Sequence, residues 1–299
     1  MIAFRGVGHT YRSLLGKRVR AVDDFSLDIA AGEVVGIAGP NGAGKTTLIA
    51  MLLGFLDPTD GEVRIAGQAP RAFVERHGVG YLPELMSLPA HWRVDNALRR
   101  LGVLAGVPAG ELEGTVTAAI DRVDLDEHRR KSIKALSKGN FQRLGLAQAL
   151  MADHRVVVFD EPTHGLDPVW ANRFRDLVGE LRRPDRAIFI ASHNLDELER
   201  LCDRVVIIDH GRMQRVVSIA SAAVAATAWV VRVLAQGDRL PAHFASAEHL
   251  ADGTWLVRAA DLEALNTGLA AAIAAGVRVM SVVPNESSLE HHFREAVRR

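Results

Sequence analysis

The sequence predicts an α/β fold, and three features along its 299 residues indicate it. The aliphatic runs RVVVFD and AIFIAS are short and bounded by polar residues, which is typical of parallel strands covered on both faces. Segments with apolar residues at helical spacing lie around them and favour an α/β core with an inserted helical layer. The third feature is a glycine-rich loop that joins an apolar strand to a helix near residue 40.

The first part of the chain predicts an antiparallel β subdomain. Within residues 2–37, the stretch AVDDFSLDIAAGEVVGIAG alternates apolar and polar residues, turns at Ala31-Gly32 and continues as an apolar strand. We expect a helix from Lys45 to about Leu53, followed by a strand in GEVRIAG.

Two domains are expected, spanning residues 1–215 and 216–299. The first includes a helical subdomain over about residues 84–150, broken at GVPAG. After RVVIIDHGRMQRVVS the composition changes, and an Ala/Ser-rich helix or linker is expected over residues 218–228.

The second domain predicts a small α/β unit. Its strand-like runs are WVVRVLA, TWLVRA and VRVMSVV, and a helix is expected from Asp261 to Ala275. A final helix begins with a capping-box pattern over Ser287–Glu290.

Composition argues against some partners. Lys plus Arg and Asp plus Glu number 36 each, so the zero formal net charge gives no pull toward nucleic acid or an anionic membrane. The longest uncharged stretch, Val216–Val231, is shorter than the roughly 20 apolar residues that span a bilayer, and MIAFRGVGHTYR does not resemble a signal peptide. We therefore expect no nucleic-acid partner and no membrane crossing.

The chain has a single cysteine, Cys202. We expect it to be a buried, inert thiol.

The stretch GPNGAGKTT fits the phosphate-binding pattern G-x-x-x-x-G-K-[ST]. Backbone N–H groups of such a loop wrap phosphates, Lys45 would reach the β- and γ-phosphates, and Thr46 would ligate magnesium. This pattern predicts a P-loop NTPase core. The predicted nucleotide-binding residues of the loop are Gly39, Pro40, Asn41, Gly42, Ala43, Gly44, Lys45, Thr46 and Thr47.

Two strand ends supply polar partners for the loop. In VVVFDEP, Asp160 would hold magnesium and Glu161 would orient or deprotonate the attacking water, unless the pair is only a surface turn. In FIASHN, His193 stands at the matching position, where a neutral imidazole could contact a γ-phosphate; the alternative is a structural histidine.

A second anion site is predicted in LSKGNFQRLGLAQALM. Ser137 and Gly139 precede apolar residues at helical spacing, and a helix N-terminus with a hydroxyl and a glycine favours anions. The chain already has a phosphate loop, so these residues raise the question of which anion the second site serves.

In motif order, residues 2 to about 215 resemble the nucleotide-binding subunit of ABC transporters. In that resemblance Tyr11 stands where an aromatic stacks on adenine, Asp167 of GLDP faces a dimer partner, and His193 is the switch histidine. The family signature corresponds to Ser137, Lys138, Gly139 and Asn140. The resemblance implies Mg²⁺ and ATP as cofactors and a head-to-tail dimer, in which the signature of one copy contacts the ATP of the other.

Four positions qualify the resemblance. Lys138 and Asn140 replace the glycine and glutamine usual in the signature, while Ser137 and Gly139 are kept. Glu84 stands where most of the family has a glutamine that senses magnesium and the transmembrane partner, and an acid there can ligate the metal at least as well; the alternative is an ordinary surface glutamate. The alternative for Tyr11 is core packing.

The resemblance implies an ATP hydrolase that drives a separate transmembrane permease, in the manner of single-domain exporter ATPases. Its location would be cytoplasmic, on the inner face of the membrane through that permease. A soluble ABC ATPase of translation or DNA repair is the alternative; the short interval between loop and signature and the zero net charge argue against it. A non-hydrolysing module would need the loss of Lys45, Asp160, Glu161 or His193, and all four are present.

Overall fold

Backbone contacts divide the chain into two units, Met1–Gln214 and Arg215–Arg299. The computed structural model describes residues 1–12, 18–219, 228–244, 246–250, 253–284 and 288–297. Most of the predicted linker over 218–228, and Ser287 of the predicted capping box, lie outside these residues.

The first unit is built on two sheets. An antiparallel sheet has the order β2-β1-β4, and a six-stranded sheet has the order β5-β6-β7-β3-β8-β9. The bounds are β1 Ile2–Arg12, β2 Arg18–Ile29, β3 Val34–Ala38, β4 Asp60–Ile65, β5 Gly80–Leu82, β6 Val156–Asp160, β7 Ala187–Ser192, β8 Arg204–Asp209 and β9 Arg212–Ser218. The predicted α/β fold with an antiparallel β subdomain is confirmed.

Seven helices are described in the first unit. They are α1 Lys45–Leu52, α2 Pro70–His77, α3 Val94–Leu104, α4 Leu112–Arg122, α5 Lys138–Ala149, α6 Pro168–Leu181 and α7 Leu195–Leu201. Short 3-10 turns occupy Asp126–His128 and Ile133–Ala135. The predicted helical subdomain corresponds to α3, α4 and α5, and its break at GVPAG falls between α3 and α4.

The register of the parallel strands places three chain segments at one edge. Ala38, at the end of β3, pairs with Ser192, at the end of β7. Asp160, at the end of β6, pairs with Ala191 of β7. All residues of β3, β6 and β7 are buried, as is typical of parallel strands covered on both faces. Their parallel register brings their carboxyl ends together. That edge is where open α/β sheets bind ligands.

Among its described residues, the second unit has a four-stranded antiparallel sheet and two helices. Its order is β11-β12-β10-β13. The bounds are β10 Ala228–Ala235, β11 Ser246–His249, β12 Trp255–Arg258, α8 Leu262–Ala274, β13 Arg278–Pro284 and α9 Ser288–Val297, with a 3-10 turn over Gly237–His243. Trp229, Val231, Val257 and Leu265 form its core.

Two elements carry too weak a pattern to be predicted. In α2 only Phe73 is buried, so its sequence shows no apolar stripe. The strand β11 reads SAEH and has no buried residue, and it forms by pairing with β12. Within the described residues, no helix has the length and apolar character that a bilayer crossing requires.

Cys202 is 5% exposed, as predicted, and burial raises the pKa of its thiol well above the ordinary value. Because the thiolate is the reactive form, we expect an aromatic disulfide reagent to leave the native protein unmodified. The same reagent should titrate one thiol per chain in guanidinium chloride. Rapid native labelling, followed by absorbance, would contradict the buried position.

Candidate functional site

The glycine-rich loop, residues 39–47, joins β3 to α1. Gly44 is the N-cap of α1 with φ 109°, a left-handed conformation that favours glycine. A Cβ at Gly44 would also lie 2.5 Å from the carbonyl oxygen of Ala21, so no larger residue fits. The first N–H groups of α1 lack intrahelical partners by geometry, and the loop presents them as an anion site.

Lys45 is held across this loop. It is only 8% exposed, and its Nζ donates to the carbonyl oxygens of Gly39 at 2.7 Å and Pro40 at 3.3 Å. Phosphate oxygens are stronger acceptors for an ammonium than neutral carbonyls. The arrangement therefore keeps a buried cation ready for a phosphate.

The loop forms one wall of a cleft of about 870 Å³, within the size range of small-molecule sites. The predicted residues that line the cleft are Tyr11, Asn41, Gly42, Ala43, Gly44, Lys45, Thr46, Thr47, Glu84, Asp160, Glu161 and His193. Gly39 and Pro40 contribute to it through the carbonyls that hold Lys45. The structure thus brings together residues from five separate stretches of sequence.

Asp160 is a buried carboxylate in this cleft, 2% exposed. Its pKa is raised to about 7, first by burial and then by the negative charges of Glu84 and Glu161, while Lys45 opposes the rise. Burial and the charges of Asp160 and Glu84 also raise the pKa of Tyr81 to about 12. The cleft therefore has an excess of acidic groups around one lysine.

Glu161 adopts an unusual backbone conformation at the end of β6. Its φ is 50°, a left-handed value that costs a non-glycine residue about 1–2 kcal/mol. Its N–H donates to the carbonyl of Ala191 at 2.8 Å, and Gln142 Nε2 donates to the carbonyls of Glu161 and Pro162 at 3.2 and 3.0 Å. These bonds hold the turn that directs the buried Glu161 side chain to the cleft.

His193 and Glu161 form a direct pair. His193 Nδ1 lies 2.7 Å from Glu161 Oε2, and the histidine ring is largely exposed whereas the carboxylate is buried. The glutamate thus fixes the orientation of the imidazole from behind, and the ring's other nitrogen is left for a ligand in the cleft.

Tyr11 lies at the end of β1 and is 45% exposed, so the alternative of core packing is wrong. Its hydroxyl is 3.3 Å from Thr47 Oγ1, and its ring contacts His9 edge-on with the centroids 4.6 Å apart. An exposed ring at the mouth of the cleft is compatible with stacking on a base.

The predicted signature residues do not line the cleft of their own chain. Ser137 is the N-cap of α5, as predicted, and its Oγ accepts the N–H of Asn140 at 3.2 Å. A Cβ at Gly139 would lie 3.0 Å from the carbonyl oxygen of Gly165, so α5 begins directly against that loop. Asp167 is likewise outside the cleft and caps α6 by accepting the N–H of Trp170 at 2.9 Å.

Several residues at or behind the cleft were not identified from the sequence, among them His164, Gln142 and Glu197. His164 lines the cleft and its Nε2 lies 2.8 Å from Lys138 Nζ, so Lys138 contacts the cleft indirectly, through His164. Gln142 supports the Glu161 turn, and Glu197 lies buried behind it. His164 could have been found from its place in the loop THGLDP, but the other two are defined by tertiary contacts alone.

The residues present fit a magnesium ion. Mg²⁺ prefers oxygen ligands and uses few protein carboxylates, with phosphates and waters completing its shell. Asp160, Glu84 and the Thr46 hydroxyl supply such oxygens, and a cation would offset the repulsion that raises the pKa of Asp160. No cluster of three or more His, Cys, Asp or Glu side chains that could hold a metal ion occurs among the described residues.

Comparison with protein families gives one matching domain. The family described as ABC transporter (ABC_tran) matches residues 22–164. The uncharacterized ABC transporter ATP-binding protein YdbJ of Bacillus subtilis is 33% identical over 283 residues, covering 91% of this chain and 89% of that protein. The Nod factor export ATP-binding protein I of Paraburkholderia xenovorans is 36% identical over 193 residues, 64% of each chain.

A solved structure shares the fold. It is the dimeric post-hydrolysis state of the ATP-binding cassette MJ0796 bound to ADP and Pi, with a TM-score of 0.67 and 21% identity. The match covers 73% of this chain and 99% of that one.

Substitution of Asp160 by Asn should stabilise the ligand-free protein at pH 8. The folded pKa of about 7 exceeds the ordinary 3.8, so ionising Asp160 costs folding free energy progressively as pH rises from about 4 to 7. At about 1.4 kcal/mol per pKa unit the penalty is roughly 4 kcal/mol, and the neutral amide avoids it. We expect a melting temperature several degrees above that of the unsubstituted protein at pH 8.

The difference should be much smaller at pH 5, where Asp160 is mostly protonated in the folded protein. Thermal unfolding followed by circular dichroism at both pH values, without metal or nucleotide, measures it. An equal shift at both pH values would contradict the electrostatic origin.

Proposed function

The chain belongs to the ABC transporter family as an ATP-binding, ATP-hydrolysing subunit, and we propose that it powers a transporter whose membrane-spanning part is a separate permease subunit. The observation that carries the proposal is the convergence of Lys45, Asp160, Glu161 and His193 on one cleft behind a phosphate loop. The protein would be cytoplasmic and peripheral, bound to the inner face of the membrane through the permease.

We assign the chemistry to residues of the cleft. The loop N–H groups and Lys45 would hold the β- and γ-phosphates and stabilise charge on the γ-phosphoryl group. Glu161 would accept the proton of the attacking water, and His193, oriented by Glu161, would hold the γ-phosphate and the water in line. Tyr11 would stack on adenine.

Magnesium would be held by Thr46 and Asp160, with Glu84 close by. When bound, the ion would neutralise phosphate charge and polarise the γ-phosphoryl group. Glu84 would also mark the groove that receives a cytoplasmic helix of the permease.

The signature residues would serve a second copy of the chain. Ser137 and the N–H of Gly139 lie at the exposed N-terminus of α5, outside their own cleft, and would contact the γ-phosphate held by the partner. Asp167 would face the same partner. Under this proposal the second anion would be the ATP of the other chain. The MJ0796 cassette, which shares this fold, forms a dimer, and this supports a dimer of the present chain.

We propose export as the direction of transport. The support is the identity of 36% with a Nod factor export ATP-binding protein. The unit Arg215–Arg299 would be an accessory or regulatory domain, and the alignment with YdbJ over 91% of the chain supports its being shared with that relative.

Replacement of Glu161 by Gln should nearly abolish ATP turnover and trap an ATP-bound dimer. The amide cannot accept the water proton, yet it leaves the loop and Lys45 unchanged, so nucleotide binding persists. Phosphate release measures turnover, and size-exclusion chromatography with light scattering measures the dimer. Turnover close to that of the unsubstituted protein would show that the base is misassigned.

Two further substitutions, each added to the Glu161→Gln variant, separate ATP binding from dimerisation. Lys45→Ala should lose affinity for a fluorescent ATP analogue. Ser137→Glu should keep that affinity, because Ser137 does not line its own cleft, but should stay monomeric because a carboxylate would meet the partner's γ-phosphate. A dimer of the Glu161→Gln, Ser137→Glu protein would contradict the shared site.

The transport proposal is tested by affinity purification of the tagged chain from detergent-solubilised membranes of its host. We expect a stoichiometric polytopic membrane protein, identified by mass spectrometry. The Lys45→Ala variant controls for partners that require nucleotide. Recovery of ribosomal or DNA-repair proteins, with no membrane protein, would overturn the proposal and leave ATP hydrolysis standing.

A further inference from the structure

A third buried carboxylate, besides Asp160 and Glu161, lies behind the cleft. Glu197, on α7, is 6% exposed, and its Oε2 accepts hydrogen bonds from Thr163 Oγ1 at 2.7 Å and from Ser192 Oγ at 3.2 Å. Its own N–H donates to Asn194 Oδ1 at 3.2 Å, which fixes the start of α7. One oxygen atom thus joins two chain segments that are about thirty residues apart in sequence.

Those two segments carry the reactive pair. Thr163 follows Glu161 by two residues, and Ser192 directly precedes His193. Ser192 Oγ also lies 3.5 Å from Glu161 Oε2, so its single hydroxyl hydrogen is placed between two carboxylates. Glu197 therefore sits where a shift of its side chain would move Glu161 and His193 relative to each other.

An acidic side chain at position 197 costs folding free energy because it is buried. Burial raises the pKa of Glu197, and the negative charge of Glu161 adds to the rise. Among the described residues, Glu197 Oε1 has no hydrogen-bond partner although it is buried. Such an unpaired buried oxygen costs about 1–3 kcal/mol. A role in holding geometry explains the cost, because hydrogen bonds to a carboxylate are shorter and stronger than those to a neutral oxygen.

We propose that Glu197 is a positioning residue for ATP hydrolysis, which fixes the Glu161–His193 pair through Thr163 and Ser192. The inference rests on the proposed roles of Glu161 and His193. Glu197 lines neither the phosphate loop nor the cleft, so it would act on the geometry of the attack and not on the binding of nucleotide. Displacement of reacting groups by about 1 Å is enough to cost on the order of 100-fold in rate.

The test compares Glu197→Ala, Glu197→Gln and Asp196→Ala in the full chain. Glu197→Ala removes both hydrogen bonds and should lower kcat about 10- to 100-fold, with KM for ATP and the affinity for a fluorescent ATP analogue changed less than about 2-fold. Glu197→Gln keeps a neutral oxygen that accepts from both hydroxyls more weakly, so its kcat should lie between those of the unsubstituted protein and Glu197→Ala. Asp196→Ala removes an exposed carboxylate from the same helix and should leave kcat unchanged.

The outcomes separate this inference from the proposed function. An unchanged kcat in Glu197→Ala would overturn the positioning role of Glu197. A loss of nucleotide affinity parallel to the loss of kcat would overturn it as well. So would a Glu197→Gln protein that is no more active than Glu197→Ala. If Glu197→Ala does not fold, Thr163→Val and Ser192→Ala each remove one of the two hydrogen bonds to Glu197 and should each lower kcat at constant KM; Ser192→Ala also removes the contacts of Ser192 Oγ with Glu161 and with the N–H of Asn194. Glu161→Gln is measured alongside: full turnover in that variant alone refutes the base assignment, whatever Glu197 does.

Discussion

The site depends on the parallel register of β3, β6 and β7. Ala38 pairs with Ser192 and Asp160 pairs with Ala191. The carboxyl ends of β3, β6 and β7 therefore lie side by side, offset by no more than one residue. The residues that follow these ends are therefore neighbours in space although they are far apart in sequence. A register slip of one residue would reverse the faces of a strand that is buried on both sides, so the hydrophobic core also specifies the site.

In the cleft of the isolated chain, the carboxylates of Asp160, Glu161 and Glu84 outnumber the one lysine, Lys45. Burial raises the pKa of Asp160 first, because a buried carboxylate loses its hydration, and the negative charges of Glu84 and Glu161 raise it further, while Lys45 opposes the rise. A structure that retains such repulsion is stabilised by whatever cation relieves it, which links the acidity of the cleft to the need for a metal with the nucleotide.

The sequence predicted the site more fully than it predicted the fold around it. The loop residues, Asp160, Glu161 and His193 could be placed in advance, because each follows an apolar strand and the physics of phosphate binding restricts the residue types. Helix α2 and strand β11 could not, because their apolar content is too low to give a period, and they form through tertiary pairing.

The supporting residues were also beyond prediction, for a different reason. Gln142 lies one turn into α5, and nothing in its neighbourhood along the chain indicates that its amide reaches the carbonyls of Glu161 and Pro162. Glu197 reads as one more charge on an amphipathic helix until Thr163 and Ser192 are seen to donate to it. Such contacts depend on tertiary packing, which the spacing of apolar residues along the chain does not predict.

The departure from the usual signature has a structural consequence of its own. Where the family commonly has a small residue, Lys138 extends from the start of α5 to within 2.8 Å of His164, and its stem lies against Gly165, where a Cβ would come within 2.8 Å of it. His164 in turn lines the cleft. Lys138 thus connects the start of α5 to a residue that lines the chain's own cleft.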